Sequence, residues 1–439
     1  MKVIFLAALI ASLPLSAESV LTSATDFNNQ GSALYASGHY REAEQRFQKA
    51  LELENNQHPV DSTVLTTIWL NLASTYRSEG RYSEAEPLYQ KGLASREALV
   101  GSDHPDLVGA LTGLTLLDLR TGRLQQAEQY GRHALRIQQQ ASADPLQTAE
   151  VMNALAIVLF AEGQYNEAEN FAAKVVSSLT NSPHEHSIQF GNALNTLGRV
   201  NFVLSRYADA EHDFSRASTV LEQAAGPGNP ATVVAWNNLG EVKAAEGDWE
   251  GAKALFEKSL IAFQKIYGSE HPDVASSLTN LATLYKNRKQ YAKASPLFKQ
   301  ALEIDTKLSG PQSPKVATDL NNLGSLAYLQ HHWRGAESLF SRALDINQRV
   351  LGPDHPDTGL LAGNLARVYC ARRRFSEAEP LLQKAAAIRE RLYGPRDPVL
   401  GNLLAEYALA LRSDQNFSEA EKMEVRATKI RVENSLRSQ

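Results

Sequence analysis

The chain has 439 residues, of which 43% are hydrophobic and 21% are charged, so it holds enough apolar material for a large folded core. Its formal net charge of −5 argues against a broad nucleic-acid surface, because such a surface needs a basic excess. A single cysteine, Cys370, excludes an intrachain disulfide and any metal site built from cysteines.

The first residues are typical of an export signal. An apolar run from Val3 to Leu15 follows Lys2 and leads to the small residue Ala17, an acceptable cleavage position. The run is too short to cross a bilayer, and no other segment reaches the ~20 apolar residues that a membrane span needs. We therefore predict a signal peptide over 1–17, a linker over 18–25, and a periplasmic or secreted protein. The alternative is a buried N-terminal helix.

The rest of the chain repeats itself. A large, usually aromatic residue is followed three positions later by alanine, and successive pairs lie 42 residues apart, once 41. Such regularity indicates one repeat array, which we place at 26–432, with a C-terminal tail at 433–439. The ten pairs are Tyr40–Ala43, Tyr82–Ala85, Leu124–Ala127, Tyr165–Ala168, Tyr207–Ala210, Trp249–Ala252, Tyr291–Ala294, Trp333–Ala336, Phe375–Ala378 and Phe417–Ala420.

Each period contains two amphipathic segments, which predicts an all-α solenoid of about ten helix–turn–helix repeats. In the second repeat, Trp69, Leu72 and Tyr76 fall on one helical face, and Gly80 ends that helix. The stretch Ser83-Glu84-Ala85-Glu86 matches a capping box, which places the start of the second helix there.

The connections between repeats carry the tripeptide His-Pro-Asp three times, at His104, His271 and His355. Proline favours the first position of a helix, and an acidic residue near a helix N-terminus is stabilised by the helix dipole. The same tripeptide is functional in chaperone J-domains, but its recurrence in phase with the repeat favours a turn and a helix cap.

Small residues recur where the two helices of a repeat must approach closely. Gly198, Gly240 and Gly324 occupy one position of the first helix, which is alanine in several other repeats. A larger side chain there would overpack the core, at a typical cost of ~1–3 kcal/mol.

These features resemble the tetratricopeptide repeat, in the long-loop form of kinesin light chains. The resemblance implies a right-handed superhelix whose first helices line a concave, peptide-binding face. It is specific for fold and not for function, because the family is defined by its scaffold. The matching residues are Trp69, Leu72, Ala73, Tyr76, Trp236, Leu239 and Gly240 on first helices, Ala85, Tyr89, Ala294, Phe298 and Ala301 on second helices, and the loops Gly268–Asp273 and Gly352–Asp357.

No catalytic motif stands out. The chain has neither a glycine-rich phosphate loop nor a Gly-x-Ser-x-Gly elbow. The histidines of His184-Glu185-His186 and His331-His332 lack helical ligand spacing and a third ligand. We therefore predict a protein that is not an enzyme and that uses no cofactor.

Asparagine recurs in the middle of the first helices, although it is a poor helix former. Two interpretations stay open: the amides form a repeated hydrogen bond within the scaffold, or they bind the backbone of an extended peptide in the concave groove. Basic residues predicted on the same face would favour an acidic ligand. The candidate groove residues are Asn29, Asn71, Arg77, Arg199, Asn238, Asn280, Lys286, Asn322, Asn364 and Arg367.

In the middle repeats this face carries apolar residues, which form either a hydrophobic pocket or tighter packing. They are Leu116, Leu119, Ile157, Phe160 and Phe202.

The leading hypothesis is an exported scaffold that binds a peptide or protein segment, with no nucleic-acid partner. The alternatives are a self-assembling structural solenoid and a regulatory partner of a separately encoded enzyme. The sequence does not predict the oligomeric state.

Overall fold

A computed structural model describes residues 23–57, 59–141, 144–413 and 415–437. The predicted signal peptide, 1–17, lies outside the described residues. Within them the regular structure is helical and no strand occurs. The helices are α1 (Ala24–Ala36), α2 (Tyr40–Asn55), α3 (Ser62–Ser78), α4 (Tyr82–Val100), α5 (Val108–Thr121), α6 (Leu124–Gln140), α7 (Pro145–Ala161), α8 (Tyr165–Leu179), α9 (Ile188–Val203), α10 (Tyr207–Ala225), α11 (Pro230–Glu246), α12 (Trp249–Tyr267), α13 (Pro272–Asn287), α14 (Tyr291–Ser309), α15 (Pro314–Leu329), α16 (Trp333–Val350), α17 (Pro356–Ala371), α18 (Phe375–Tyr393), α19 (Pro398–Ser413) and α20 (Phe417–Arg437).

The helices pair in chain order into ten repeats, which confirms the predicted solenoid. Odd-numbered helices are the first helices of their repeats, and each one also contacts the first helix of the next repeat. The first helices therefore form one continuous wall, which is the concave face of the superhelix.

The second helix of the second repeat starts earlier than the capping box predicts. In the second repeat α4 begins at Tyr82, and its N-cap is Arg81, whose side chain makes no capping hydrogen bond. The capping box at Ser83 is therefore wrong. The reason is a tight turn: the N–H of Arg81 donates to the carbonyl of Tyr76 at 2.8 Å, directly after Gly80 at φ +76°. This hydrogen bond satisfies a carbonyl group in the last turn of α3. The turn is so short that α4 begins before Ser83 can serve as its N-cap.

The His-Pro-Asp connections are helix caps, as predicted. The ring nitrogen Nδ1 of His104 accepts the backbone N–H of Asp106 at 3.2 Å. His271 and His355 accept the N–H of Asp273 and Asp357 in the same way, at 3.1 and 3.2 Å. Each histidine therefore satisfies one of the free N–H groups at a helix start.

The small residues of the first helices face aromatic rings of the second helices. A Cβ on Gly240 would lie 2.7 Å from Cε1 of Phe256, closer than packed atoms approach. Gly198 and Gly324 face Phe214 and Phe340 in the same way. The alanine of all ten aromatic–alanine pairs is fully buried. The prediction that close helix–helix packing requires small residues at these positions is confirmed.

Repeats that are five apart in the chain touch each other, because the superhelix returns onto itself after one turn. In each of the first three repeats, the turn between the two helices lies against the first proline of the repeat five further on. We call this the inter-turn contact. A Cβ on the turn glycine would lie 3.4 Å from proline for Gly38 and Pro230, 2.9 Å for Gly80 and Pro272, and 3.5 Å for Gly122 and Pro314.

Both ends of the array differ from their predicted bounds. Helix α1 begins at Ala24, inside the predicted linker, because the hydroxyl of Ser23 caps it by accepting the N–H of Asp26 at 3.2 Å. Helix α20 continues to Arg437, into the predicted tail. Its end is held by Asn434, whose side chain donates to the carbonyl of Arg396 at 2.9 Å. No helix in the described ranges is long and apolar enough to cross a membrane.

Candidate binding chamber

The concave face encloses a cavity of about 810 Å³, which we call the central chamber. Its wall consists mainly of first-helix residues, from α3 in the second repeat to α15 in the eighth. The inter-turn contact brings the second and seventh repeats together, so the groove is closed on that side. The volume lies within the range of ~300–1,000 Å³ that is usual for ligand pockets.

One part of the chamber wall is apolar. Leu116, Leu119, Ile157, Phe160 and Phe202 all line the chamber. Of the two interpretations that the sequence leaves open for these residues, the structure therefore favours a hydrophobic pocket.

Arg199 lies beside this apolar wall without a polar partner of its own. Its guanidinium carbon is 4.4 Å from the centre of the Phe160 ring, a cation–π contact. In the described part of the chain it makes no hydrogen bond or ion pair. Burial lowers the pKa of Arg199, and the nearby Glu241 carboxylate opposes that shift. A partly desolvated guanidinium with free donors is a receptor for a carboxylate.

The other two arginines of the chamber are already engaged. Nε of Arg77 donates to the hydroxyl of Tyr89 at 3.2 Å. Arg120 lies 3.6 Å from the carboxylate of Asp273, across the inter-turn contact. Among the described residues, Arg199 is therefore the arginine of this wall that has no hydrogen bond or ion pair.

A pair of buried carboxyls lines the chamber at its eighth-repeat end. Asp305 on α14 and Asp319 on α15 lie within hydrogen-bonding distance of each other. Burial and the neighbouring Asp305 raise the pKa of Asp319 to about 8, and Lys315 opposes the rise. Burial also raises the pKa of Asp305. Asp319 therefore keeps its proton at neutral pH.

The structure brings only some of the predicted groove residues together. Arg77, Arg199, Asn238 and Asn280 line the central chamber. Asn364 and Arg367 line a separate cavity of about 150 Å³ between α17, α18 and α19. The remaining four candidates, Asn29, Asn71, Lys286 and Asn322, line neither cavity.

Three of the recurring asparagines bridge consecutive first helices. The side-chain N–H of each donates to the amide oxygen of an asparagine 43 residues earlier. The pairs are Asn71 to Asn28 at 2.8 Å, Asn238 to Asn195 at 2.9 Å and Asn364 to Asn321 at 2.8 Å. Asn280 donates instead to Glu241 at 2.7 Å. These hydrogen bonds support the scaffold interpretation for Asn71, Asn238 and Asn364.

Sequence reasoning missed the acidic residues of the chamber. Glu241 occupies the same repeat position as Arg199, eight residues before the aromatic residue, so the repeat alignment could have found it. Asp305 comes from a second helix, at the position equivalent to Phe263 one repeat earlier. An interpretation restricted to first helices does not consider it.

Comparison with known proteins agrees with this fold. Models of the tetratricopeptide repeat match residues 28–98, 64–140, 148–179, 189–260, 232–307, 284–349, 315–390 and 360–431. A Rap protein solved in complex with Competence and Sporulation Factor is 13% identical, with a TM-score of 0.61 over 84% of this chain and 98% of that one.

Two shorter solved chains are also similar. BtubC (BKLC) of P. vanneervenii is 24% identical over 52% of this chain and 92% of its own, with a TM-score of 0.42. Kinesin light chain-derived repeats of Podosopora anserina are 21% identical over 48% and 98%, with a TM-score of 0.39. Comparison with curated protein sequences gave no match.

Proposed function

Because this chain belongs to the tetratricopeptide repeat family, we propose that it is a non-enzymatic scaffold that binds a short peptide in its central chamber. The observation that carries the proposal is Arg199, a guanidinium with free donors beside an apolar wall. The family is generally a protein-interaction fold, so a polypeptide partner is the expected ligand class.

The size and closure of the chamber favour a short extended segment over a folded partner. About 810 Å³ is too small for a folded domain, and the inter-turn contact keeps a domain from entering sideways. The Rap protein was solved with Competence and Sporulation Factor bound, and the fold that it shares with this chain is compatible with a ligand-binding role.

Around Arg199 the wall favours a peptide that places a carboxylate beside apolar side chains, whereas Glu241, Asp305 and Asp319 line other parts of the chamber. A carboxylate that reaches Arg199 would form charge-assisted hydrogen bonds with its guanidinium. Apolar side chains would be buried against Ile157, Phe160 and Leu116. Asn280 is less available than its position suggests, since it already donates to Glu241.

The test is binding of a defined peptide pool. The probe is a mixture of synthetic hexapeptides, each with one or two acidic residues and two Leu or Phe, measured by size exclusion and mass spectrometry of retained peptides. Charge-assisted hydrogen bonds contribute ~1.5–3 kcal/mol, so Arg199→Met should weaken binding roughly 10- to 100-fold. A second pool with lysine in place of the acidic residues should be retained poorly.

Arg367→Met is the matched control. Arg367 occupies the same repeat position as Arg199, but it pairs with Glu406 at 3.1 Å and lies outside the central chamber. This variant should keep wild-type affinity. Equal affinities for wild type, Arg199→Met and Arg367→Met, or no retained peptide at all, would reject the proposal.

We also propose that the protein is exported, on the strength of the apolar run from Val3 to Leu15. Expressed in a Gram-negative host, it should lose residues 1–17 and appear in the periplasm. A form that starts at Glu18 after an added initiator Met should stay in the cytoplasm. An intact N-terminus, measured by mass spectrometry on cytoplasmic protein, would contradict export.

A further inference from the structure

The inter-turn contact uses only half of the surfaces that can form it. Within the chain, Nε2 of His271 donates to the carbonyl of Ser78 at 2.8 Å, and the Tyr165 and Tyr393 rings stack at 6.5 Å. Each of these contacts joins two repeats that are five apart. The sixth to tenth repeats have no repeat five further on, and the first five have none five earlier. Each turn of the superhelix therefore leaves one edge free.

We call these two surfaces the turn edge and the start edge. The turn edge consists of the helix–helix turns of the sixth to tenth repeats, and the start edge consists of the N-terminal ends of the first helices in the first five. In the turn edge the residues with positive φ are Gly247, Lys289, His331, Arg373 and Gln415. In the start edge the N-cap residues are Ser23, Asp61, His104, Asp144 and Ser187.

The turn position two residues before the aromatic residue differs between the two halves of the chain. It is glycine in the first four repeats, and in three of them it lies against a proline of the next superhelical turn. In the seventh to tenth repeats it is a larger residue with φ between +58° and +63°. Glycine adopts this conformation freely, whereas a longer side chain is strained in it. Strained residues at an unpaired edge point to a partner outside the chain.

The turn edge is basic. Its turns in the seventh to ninth repeats, 287–291, 330–334 and 372–375, contain no acidic residue. Three of their cations are exposed and make no hydrogen bond or ion pair within the described ranges: Lys289, Arg334 and Arg373. Arg372 and Arg374 differ from them, since both pair with Glu337.

The start edge is acidic over the second to fourth repeats. The loops 55–62, 101–106 and 141–148 contain aspartates and neither lysine nor arginine. Asp61 and Asp144 are exposed, and each caps its helix through one oxygen, which accepts the N–H of Thr63 at 2.8 Å or of Leu146 at 3.1 Å. In the part of the chain that the structure describes, neither carboxylate pairs with a cation. The second oxygen of each is therefore available to one.

The register of the inter-turn contact brings these charges together between two copies. The repeat five beyond the seventh would be the twelfth, which is the second repeat of a following ten-repeat copy. The turns of the seventh and ninth repeats then face the starts of the second and fourth, so Lys289 lies opposite Asp61 and Arg373 opposite Asp144. A pair of this kind already exists within the chain. Arg120, in the last turn of α5, lies 3.6 Å from Asp273 in the first turn of α13.

His104 provides an uncharged contact in the same register. It caps its helix as His271 does, but 43% of its side chain is exposed, against 6% for His271. Its counterpart across the contact would be the eighth repeat. There the carbonyl equivalent to that of Ser78 belongs to Leu329, the last residue of α15.

We propose that the protein self-associates head to tail, with the turn edge of one copy on the start edge of the next. The contact is heterologous, so every added copy leaves one free edge of each kind and the assembly is open-ended. A second copy fits this surface because its charges match in the register that the chain already uses. The proposal does not depend on peptide binding in the central chamber.

The test is sedimentation velocity of the purified protein over a concentration series, without peptide. At low salt the wild type should form dimers and longer chains whose size grows with concentration. At about 1 M sodium chloride, where the Debye length is ~3 Å, it should sediment as a monomer. Circular dichroism at both salt concentrations checks that the helices persist.

The variant Lys289→Gly/Arg373→Gly removes the two cations and the backbone strain together. It should melt at a higher temperature than the wild type, because glycine suits a positive φ. Its association should weaken roughly tenfold or more through the loss of two ion pairs. Gln415→Gly is the matched control: it relieves the same strain in the tenth repeat without removing charge, so it should associate as the wild type does.

A mixing experiment tests the head-to-tail arrangement. Asp61→Asn/Asp144→Asn keeps both helix caps, because asparagine caps as well as aspartate does, and it should be monomeric where the wild type associates. Its turn edge is intact, and so is the start edge of the glycine double variant. A mixture of the two variants should therefore give a 1:1 dimer and nothing longer.

Three results would overturn the proposal. They are a wild type that stays monomeric at every concentration, a glycine double variant that associates as the wild type does, and a mixture without the dimer. A monomeric wild type that sediments with phosphatidylglycerol vesicles would assign the basic edge to an anionic lipid surface instead. Because no peptide is present, these results are separate from the binding function, and a self-associating protein that retains no peptide would reject only that function.

Discussion

Phe298→Ala should lower the free energy of unfolding by about 3–5 kcal/mol, the usual loss for a buried phenylalanine. Phe298 is fully buried on α14 and packs with Ala282, Ala294 and Leu326. Leu326 belongs to the next repeat, so the ring joins two repeats, and their fixed backbones cannot collapse into the space that it leaves. Urea unfolding followed by circular dichroism measures the loss.

Phe417→Ala is the control for this prediction. Phe417 is the aromatic residue at the start of α20, but 59% of its surface is exposed. Its removal should change the unfolding free energy by no more than ~0.5 kcal/mol. Similar losses for the two variants would contradict the burial argument.

Asp319→Asn should raise the free energy of unfolding at alkaline pH, where the wild-type protein loses stability. Asp319 keeps its proton in the folded state up to a pKa of about 8, whereas an unfolded aspartate loses it near 3.8. The stabilisation is therefore complete below the usual aspartate range and declines as the pH rises toward and past 8. Asparagine keeps a donor for Asp305 without the second charge. At pH 9 the variant should be more stable by on the order of a few kcal/mol.

The measurement is the unfolding free energy from pH 5 to pH 9 for wild type and variant. The wild-type curve should fall over this range, and the variant curve should stay flatter. Asp354→Asn, an exposed loop aspartate, is the control and should follow the wild type. Parallel curves for wild type and Asp319→Asn would contradict the raised pKa of Asp319.

The fold could be predicted from the sequence because every repeat places the same kinds of residue at the same helix–helix contact. The buried alanine after the aromatic residue, and the glycines that face Phe214 and Phe256, follow from helices that touch within one repeat. Ser83 matches a helix N-cap in the local sequence, which predicts a later start for α4. The hydrogen bond from Arg81 to Tyr76 closes the turn earlier, so the helix begins at Tyr82.

The inter-turn contact could not be predicted in the same way. The hydrogen bond from His271 to Ser78 depends on the pitch of the superhelix, which accumulates from small rotations over five repeats. The repeating pattern shows that repeats stack, but it does not give their angle. The tripeptide around His271 thus reads as a helix cap in sequence and proves to be both a cap and a contact between turns.

The candidate site was predicted in part. The sequence predicts Arg199 and the apolar residues near Ile157 as groove residues because they lie on the concave face of the first helices. The asparagines lie on the same face of the first helices. Asn238, however, donates its side-chain N–H to Asn195 on the preceding first helix, so this hydrogen bond stabilises the scaffold. Whether an amide reaches its neighbour depends on side-chain geometry that spacing alone does not contain.

The binding role of the central chamber is tested most directly by mapping where a peptide lies. An acidic hexapeptide retained by the wild type is remade with photo-leucine in place of leucine, irradiated with the protein, and the cross-linked residues are identified by tandem mass spectrometry. We predict cross-links to Leu116, Ile157, Phe160 and Phe202, which line the chamber, and their loss when unlabelled peptide competes. Cross-links confined to the outer surface, such as exposed Ala254 and Lys258 on α12, would contradict the account.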